Sequence, residues 1–146
     1  MAPKKGLVTG VFGLIPGAVY QALQSRPDLY EVHALARRQI PSDRAPSGRF
    51  LELPEDRFRL ADLEDFGAIE RAVKDMDLVV QMAADPRPDA TWENLLGSNI
   101  IGVRNVLEAS QRAGVKRVVF ASSIMVSWGY QLDEPYKAVG EGRFAD

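Results

Sequence analysis

Lys5-Gly6-Leu7-Val8-Thr9-Gly10-Val11-Phe12-Gly13-Leu14-Ile15-Pro16-Gly17 lies near the amino terminus of a 146-residue chain and sets the reading of the rest. An apolar run at residues 6–8 ends in Gly10 and Gly13 and passes into a helical pattern. That is the strand, tight turn and helix start of a dinucleotide-binding βαβ unit. Glycine is needed there because the chain turns sharply and a side chain would hold a pyrophosphate away from backbone N–H groups. An ordinary strand-to-helix turn fits the same residues, so the surrounding chain must decide. The spacing is also irregular: Pro16 stands where a third glycine belongs, and Gly17 follows one residue late.

Outward from the turn, Leu14, Ile15, Ala18, Val19, Ala22 and Leu23 recur at helical spacing, which predicts a helix with that face on a sheet. Residues 30–36 read as a second strand ending at Arg37-Arg38 and a proline-containing loop over 38–55. Residues 58–61 form a third strand with Asp62 at its carboxyl end. A helix marked by Phe66, Ile69, Val73 and Met76 leads to a fourth strand at 78–84, apolar but for Gln81, as buried parallel strands look. A long helix over 91–113 carries Leu96, Ile100, Val103 and Leu107 in one stripe, with Gly114 placed to end it. A fifth strand follows at 116–121.

Strands alternating with helices at crossover lengths predict parallel pairing and right-handed connections. The fold class expected is α/β, a Rossmann-like doubly wound sheet of order 3-2-1-4-5. Strands 1 and 4 then flank the topological switch point, where open α/β sheets bind ligands. Gly10, Asp62, Ala83 and Ser123 all fall just after strand ends, on one rim. Residues 1–125 are read as the dinucleotide-binding domain. Residues 126–146, with Gly129, Pro135, Gly140 and Gly142 and no clear period, are read as a loop-rich tail with one helical turn at most.

Composition narrows the classes further. With no cysteine there is no disulfide and no thiolate zinc site, and no metal is expected. Lys and Arg number 18 against 20 Asp and Glu, a net charge of -2, which gives no general attraction to nucleic acid or to an anionic membrane. No apolar run approaches the roughly 20 residues of a membrane span, and the amino terminus lacks the apolar core of a signal peptide. A cytoplasmic protein is expected, large enough to bury a core without staples.

Thr9-Gly10-Val11-Phe12-Gly13 resembles the Thr-Gly-x-x-Gly start of the extended short-chain dehydrogenase/reductase family, the NAD(P)-dependent epimerases, dehydratases and sugar dehydrogenases. Ala61-Asp62-Leu63 is similar to its Gly-Asp-Leu, and Gln81-Met82-Ala83-Ala84 to its His-Leu-Ala-Ala at the end of strand four. The helix from Asn99 through Ala109 and the run from Ala113 through Ser123 are similar to the next two segments, in the same order and at the same spacing. Residues 85–96, with Trp92-Glu93, are similar to the branch that acts on sugars or sugar acids, such as uronate dehydrogenases.

The resemblance implies roles residue by residue, each beside a plainer one. Gly10, Phe12, Gly13 and Leu14 would line the pyrophosphate, and Asp62, with Leu63, would hold the adenine, although an Asp after a strand is often a helix N-cap. Ala83 and Ala84 would lend small side chains and backbone to the ribose, or simply pack. Arg37 and Arg38 stand where an NAD-specific member carries an acid for the ribose 2′-hydroxyl; arginines there pair instead with a 2′-phosphate, so the cofactor expected is NADP, with NAD the other candidate. Paired arginines opening a loop are otherwise solvated. Ser123 would orient the substrate in catalysis; its rival is Ser122, and Ser123 is preferred because Val126 falls three residues on. Asn99 would support the active site, or make a structural helix-to-sheet hydrogen bond. His33 reads as a packed strand residue.

Hydride chemistry in this family resembles acid/base catalysis by a tyrosine aided by a lysine four residues later. Tyr20, Tyr30, Tyr130 and Tyr136 are followed at that spacing by Gln24, Ala34, Glu134 and Gly140. The expectation is therefore the amino-terminal cofactor half of an oxidoreductase or epimerase of a sugar, sugar acid or sugar nucleotide, without the family's later strands and substrate region, binding cofactor without turnover. A non-catalytic dinucleotide-binding or sensing module is the alternative. The open edge of such a sheet makes a homodimer a candidate.

Overall fold

Five parallel strands, Lys4–Thr9 (β1), Tyr30–Ala36 (β2), Phe58–Leu60 (β3), Leu78–Gln81 (β4) and Arg117–Phe120 (β5), form one sheet in the order β3-β2-β1-β4-β5. The expected topology holds in full. The computed structural model describes residues 2–46, 51–125, 129–134 and 136–143. Val126, which entered the register argument for Ser123, lies outside the described residues.

Adjacent residues on the central strands point to opposite faces, so two cores form. Leu7, Leu35 and Val79 face one side and pack with Leu63, Ile69, Val73, Val106 and Ala109 from α2 (Phe66–Val73), α4 (Gly102–Arg112) and the loop before α2. Val8, Val32, Ala34 and Val80 face the other and pack with Val11 and Tyr20 from the glycine turn and α1 (Leu14–Gln24). The loop after β2 returns over that second core: Leu51 and Leu53 pack on it, and the Tyr20 hydroxyl donates to the Glu52 carbonyl at 3.0 Å.

β3, β4 and β5 stop one to three residues earlier than the apolar runs suggest. At β4 the cause is local: the N–H groups of Met82 and Ala83 leave the ladder and donate to the Thr9 hydroxyl, each at 3.0 Å. The long crossover after β4 comprises α3 (Trp92–Leu95), a π-helical stretch (Leu96–Ile101) and α4. Thr91 caps its start by accepting from Asn94 N–H. Its end closes as expected on Gly114 at φ +71°, with Gly114 N–H donating to Gln111 carbonyl and Val115 N–H to Ser110 carbonyl, a Schellman pattern.

Two helix faces differ from expectation. On α1 the buried residues are Pro16, Gly17 and Tyr20, while Leu14, Ile15 and Ala18 face outward. On the long crossover Ile100 and Leu107 of the expected stripe are exposed, and Gly97, Gly102, Asn105, Val106, Ala109 and Ser110 are buried. Small residues occupy the inner face because the backbones come close: a Cβ on Gly102 would stand 2.6 Å from Leu63 Cβ. After β5, a 3-10 turn (Gly129–Leu132) and a single helical turn, α5 (Lys137–Gly140), make up the described tail. Among the described residues no helix is long and apolar enough to cross a membrane.

Candidate functional site

The carboxyl ends of β1 and β4 meet at Gly10. Its φ is +74°, a conformation open to glycine at little cost, and a Cβ there would stand 2.9 Å from Ala83 Cα and 3.2 Å from Ala83 N. The turn is tied to β2 by Gly10 N–H donating to Leu35 carbonyl at 2.7 Å and closed by Gly13 N–H donating to Gly10 carbonyl at 2.8 Å. Gly13 is the N-cap of α1 and makes no side-chain cap hydrogen bond, and helix starts of this kind suit anions. Such a cradle, with glycine at the left-handed corner and glycine again at the helix cap, fits a phosphate group. Pro16 fits into it: a Cβ on Gly13 would come within 2.9 Å of the Pro16 ring, so the missing methylene at Gly13 is what accommodates the pyrrolidine.

Phe12 turns its ring edge-on to Phe58 of β3, centroids 5.9 Å apart, while its carbonyl accepts from Ser42 N–H at 2.9 Å. The loop after β2 is thereby drawn back onto the glycine turn. Leu14 is exposed beside it.

Asp62 is not the cap of α2. Asp65 has that place, accepting from Ala68 N–H at 2.9 Å. One Asp62 oxygen accepts from Glu64 N–H at 3.1 Å, and the other lies 3.7 Å from the Arg37 guanidinium. The structure thus brings Arg37 and Asp62 together across the ends of β2 and β3. Arg38 is exposed next to them. The side chain of Leu63 belongs to the core, and its carbonyl accepts from Asn105 at 2.9 Å.

Beyond β4, Ala84 is exposed, and Asp85 is held from both sides. The Asn99 carboxamide accepts from Asp85 N–H at 2.7 Å and donates to Asp85 carbonyl at 3.0 Å, a helix-to-rim link of the structural kind. Asn99 reaches inward because it sits in the π-helical stretch, whose extra residue shifts the phase of the helix. Arg87 grips the Asp85 carboxylate through Nε at 2.9 Å and Nη2 at 2.6 Å. That guanidinium holds the Asp85 carboxyl below the usual range against the opposing effect of burial, with Arg37 adding a smaller pull from across the rim. Ser123 is exposed on the loop after β5, its hydroxyl accepting from Met125 N–H at 3.2 Å, and among the described residues it makes no hydrogen bond to the Asn99 cluster.

Three supporting residues were not singled out from sequence. Thr9 and Gln81, both 1% exposed, are hydrogen-bonded to each other under the switch point. Asn105, 7% exposed, fastens the loop after β3 through the Leu63 and Glu64 carbonyls. The available signal was a polar residue inside an apolar strand or helix, which needs a partner when buried.

A doubly wound parallel sheet with a glycine turn at its switch point defines a Rossmann-like α/β protein. The profile of the NAD dependent epimerase/dehydratase family matches residues 6–135, and the chain belongs to that family. It is 30% identical over 128 residues to the NAD-dependent glucose-6-phosphate dehydrogenase of Haloferax volcanii, covering 88% of this chain and 46% of that protein. It is 31% identical over 125 residues to the L-arabinose 1-dehydrogenase (NAD(P)(+)) of the same organism, covering 86% and 43%. A crystal structure of a mutant uronate dehydrogenase from Agrobacterium tumefaciens complexed with NAD is similar at 29% identity and a TM-score of 0.66, covering 84% of this chain and 42% of that one. The chain spans less than half the length of these relatives.

Proposed function

We propose that the chain is the nicotinamide-dinucleotide-binding portion of a cytoplasmic oxidoreductase or epimerase acting on a sugar, sugar acid or sugar nucleotide. The observation that carries this is Gly10, left-handed and backed against Ala83 with no room for a side chain. The turn of Gly10, Phe12, Gly13 and Leu14 and the start of α1 would hold the pyrophosphate. Asp62 would hold the adenosine, and Ala83 and Ala84 the ribose of the reactive half. A bound nicotinamide would supply hydride transfer; Ser123, on the loop after β5, and Asn99, in the π-helical stretch, would face the substrate. NADP is the preferred cofactor because Arg37 and Arg38 follow β2 where an NAD-specific chain would carry an acid, with NAD the alternative. The relatives' names include both an NAD and an NAD(P)(+) enzyme.

Isothermal titration of the 146-residue chain with NAD+ and NADP+ tests the binding half. Saturable binding of either supports it, and no heat with both at millimolar concentration overturns it. The non-catalytic reading is favoured by the four tyrosines, none of which has a lysine four residues on. Binding without sugar-dependent change in nicotinamide absorbance is expected of these 146 residues. The sugar reading rests on the relatives and is tested by the same absorbance assay on the longest product of the gene, with glucose 6-phosphate, arabinose and glucuronate as substrates. Self-association through the exposed edge strand β5, where Val119 and Phe120 are about half exposed, is checked by light scattering; a strict monomer rejects it.

A further inference from the structure

Thr9 and Gln81 end β1 and β4, and neither side chain reaches solvent. The Thr9 hydroxyl accepts from the N–H groups of Met82 and Ala83, which fills its acceptor capacity, so its own proton goes to Gln81 Oε1 at 2.7 Å. The Gln81 carboxamide is oriented by that contact, and its Nε2 donates to the Ala83 carbonyl at 2.8 Å. Two side chains thus hold three backbone groups of Met82 and Ala83, and every partner is an amide, a hydroxyl or a backbone group. Ala83 is also the residue whose backbone closes on Gly10. A shift of residues 82–83 by a few tenths of an ångström would change the gap between the glycine turn and the end of β4.

We propose that Gln81 is a positioning residue of the nucleotide site: acting through Thr9 and the Ala83 backbone, it fixes the width of the cleft between the Gly10 turn and β4 and so sets dinucleotide affinity. This rests on the dinucleotide reading above. A buried neutral amide suits the role because it holds its geometry at any ordinary pH. Leucine of similar volume would leave the Thr9 proton and the Ala83 carbonyl without partners, a loss that buried groups do not tolerate cheaply.

The test substitutes Gln81→Glu, nearly the same shape. Burial raises a carboxyl's pKa, so at about pH 5.5 the acid is neutral, accepts from Thr9 and donates to Ala83; at about pH 8.5 it is charged and faces the Ala83 carbonyl. NAD+ and NADP+ are titrated into wild type and variant at both pH values, with circular dichroism as the check on folding. The expected result is wild-type-like affinity for NAD+ at the lower pH and a loss of roughly tenfold or more at the higher, while wild type changes little. Wild type that binds neither nucleotide overturns the dinucleotide reading and this inference with it. Wild type that binds, beside a variant that follows it at both pH values, overturns the inference alone. If Gln81→Glu does not fold, Thr9→Val and Thr9→Ser decide: loss of affinity in the first and retention in the second supports the role, and equal affinity in both rejects it.

Discussion

Gly10 and Ala83 touch across the ends of β1 and β4 so closely that a Cβ on Gly10 would stand 2.9 Å from Ala83 Cα. Gly114 has nearly the same φ, +71° against +74°, but nothing lies within 4 Å of the Cβ it would carry. The pair separates backbone strain from contact. Gly114→Ala should cost about 1 kcal/mol, the usual penalty of a left-handed alanine, and lower the melting temperature by a few degrees. Gly10→Ala should cost clearly more and abolish nucleotide binding. Equal melting-temperature losses in the two variants would mean that the Gly10 turn relaxes away from Ala83.

Arg37 is engaged with Asp62 at 3.7 Å while Arg38 is exposed beside it, so the two arginines are not equivalent. Both members of the pair are well exposed, and such a bridge contributes about 1 kcal/mol or less. It is a weak tether, and Arg38, which makes no ion pair among the described residues, becomes the better candidate for a 2′-phosphate. Arg38→Glu should weaken NADP+ roughly tenfold or more through loss of a charge-assisted contact, and leave NAD+ nearly unchanged. Calorimetric titration with both nucleotides checks this; a parallel loss for the two would show that Arg38 does not read the phosphate.

Asn99 supplies both partners of the Asp85 backbone, at 2.7 and 3.0 Å. Asn99→Leu leaves a half-buried N–H and carbonyl to find water, and a loss of about 1–3 kcal/mol is expected. Asn99→Asp keeps the acceptor and loses the donor, so its loss in thermal melts should be intermediate. If the leucine variant melts like wild type, solvent replaces the link and Asn99 is free for another task.

The strand order and the rim were legible because each depends on local chemistry. An apolar run followed by Gly10, Asp62 or Ala83 marks a strand end whatever packs on it, and the crossover rules then leave few topologies. The buried helix faces were not. Ile100 and Leu107 mark the more apolar side of their helix, yet Gly97, Gly102, Asn105 and Ala109 lie inward. There the distance between backbones, set by the Leu63–Glu64 loop, selects size over hydrophobicity, and the π-helical stretch shifts the phase besides. Thr9 and Gln81, quoted from the sequence only as motif positions, had no role assigned for a related reason: in a buried strand each reads as one polar residue, and only the fold makes them partners. Asp62 differs again, since the sequence holds two aspartates, 62 and 65, either able to cap α2, and only geometry assigns the cap to Asp65.

Asp85 gives the rim a dependence on acid. Its carboxyl is held below the usual range, chiefly by the Arg87 guanidinium, so the folded state binds its proton less readily than the unfolded chain does. The stabilisation is therefore complete above the ordinary carboxylate pKa of about 4 and is lost as pH falls through the lower folded value. Asp85→Asn should melt below wild type at neutral pH, with the gap narrowing as pH falls below the ordinary carboxylate pKa of about 4 and through the lower folded value. A gap that does not narrow in acid for as long as the fold persists would mean the Arg87 pairing adds nothing, and that only the Asn99 link holds the loop.

Pro16 is the departure from the expected glycine spacing, and its ring sits over Gly13 in the first turn of α1. A proline in the first helical turn costs little, since the N–H it lacks would have no partner within the helix. At an anion-binding helix start that same N–H would be a ligand, and Pro16 withholds it. Pro16→Gly restores the donor and empties the space over Gly13, so dinucleotide binding should tighten. Stability should fall by about 1 kcal/mol as a buried ring is lost and the unfolded chain gains freedom. The two effects have opposite signs, so titration and thermal melting of one variant separate them. Tighter binding with a lower melting temperature supports a phosphate at the α1 start. Unchanged or weaker binding would show that the turn has adapted to the ring and that the anion contacts lie elsewhere in the loop.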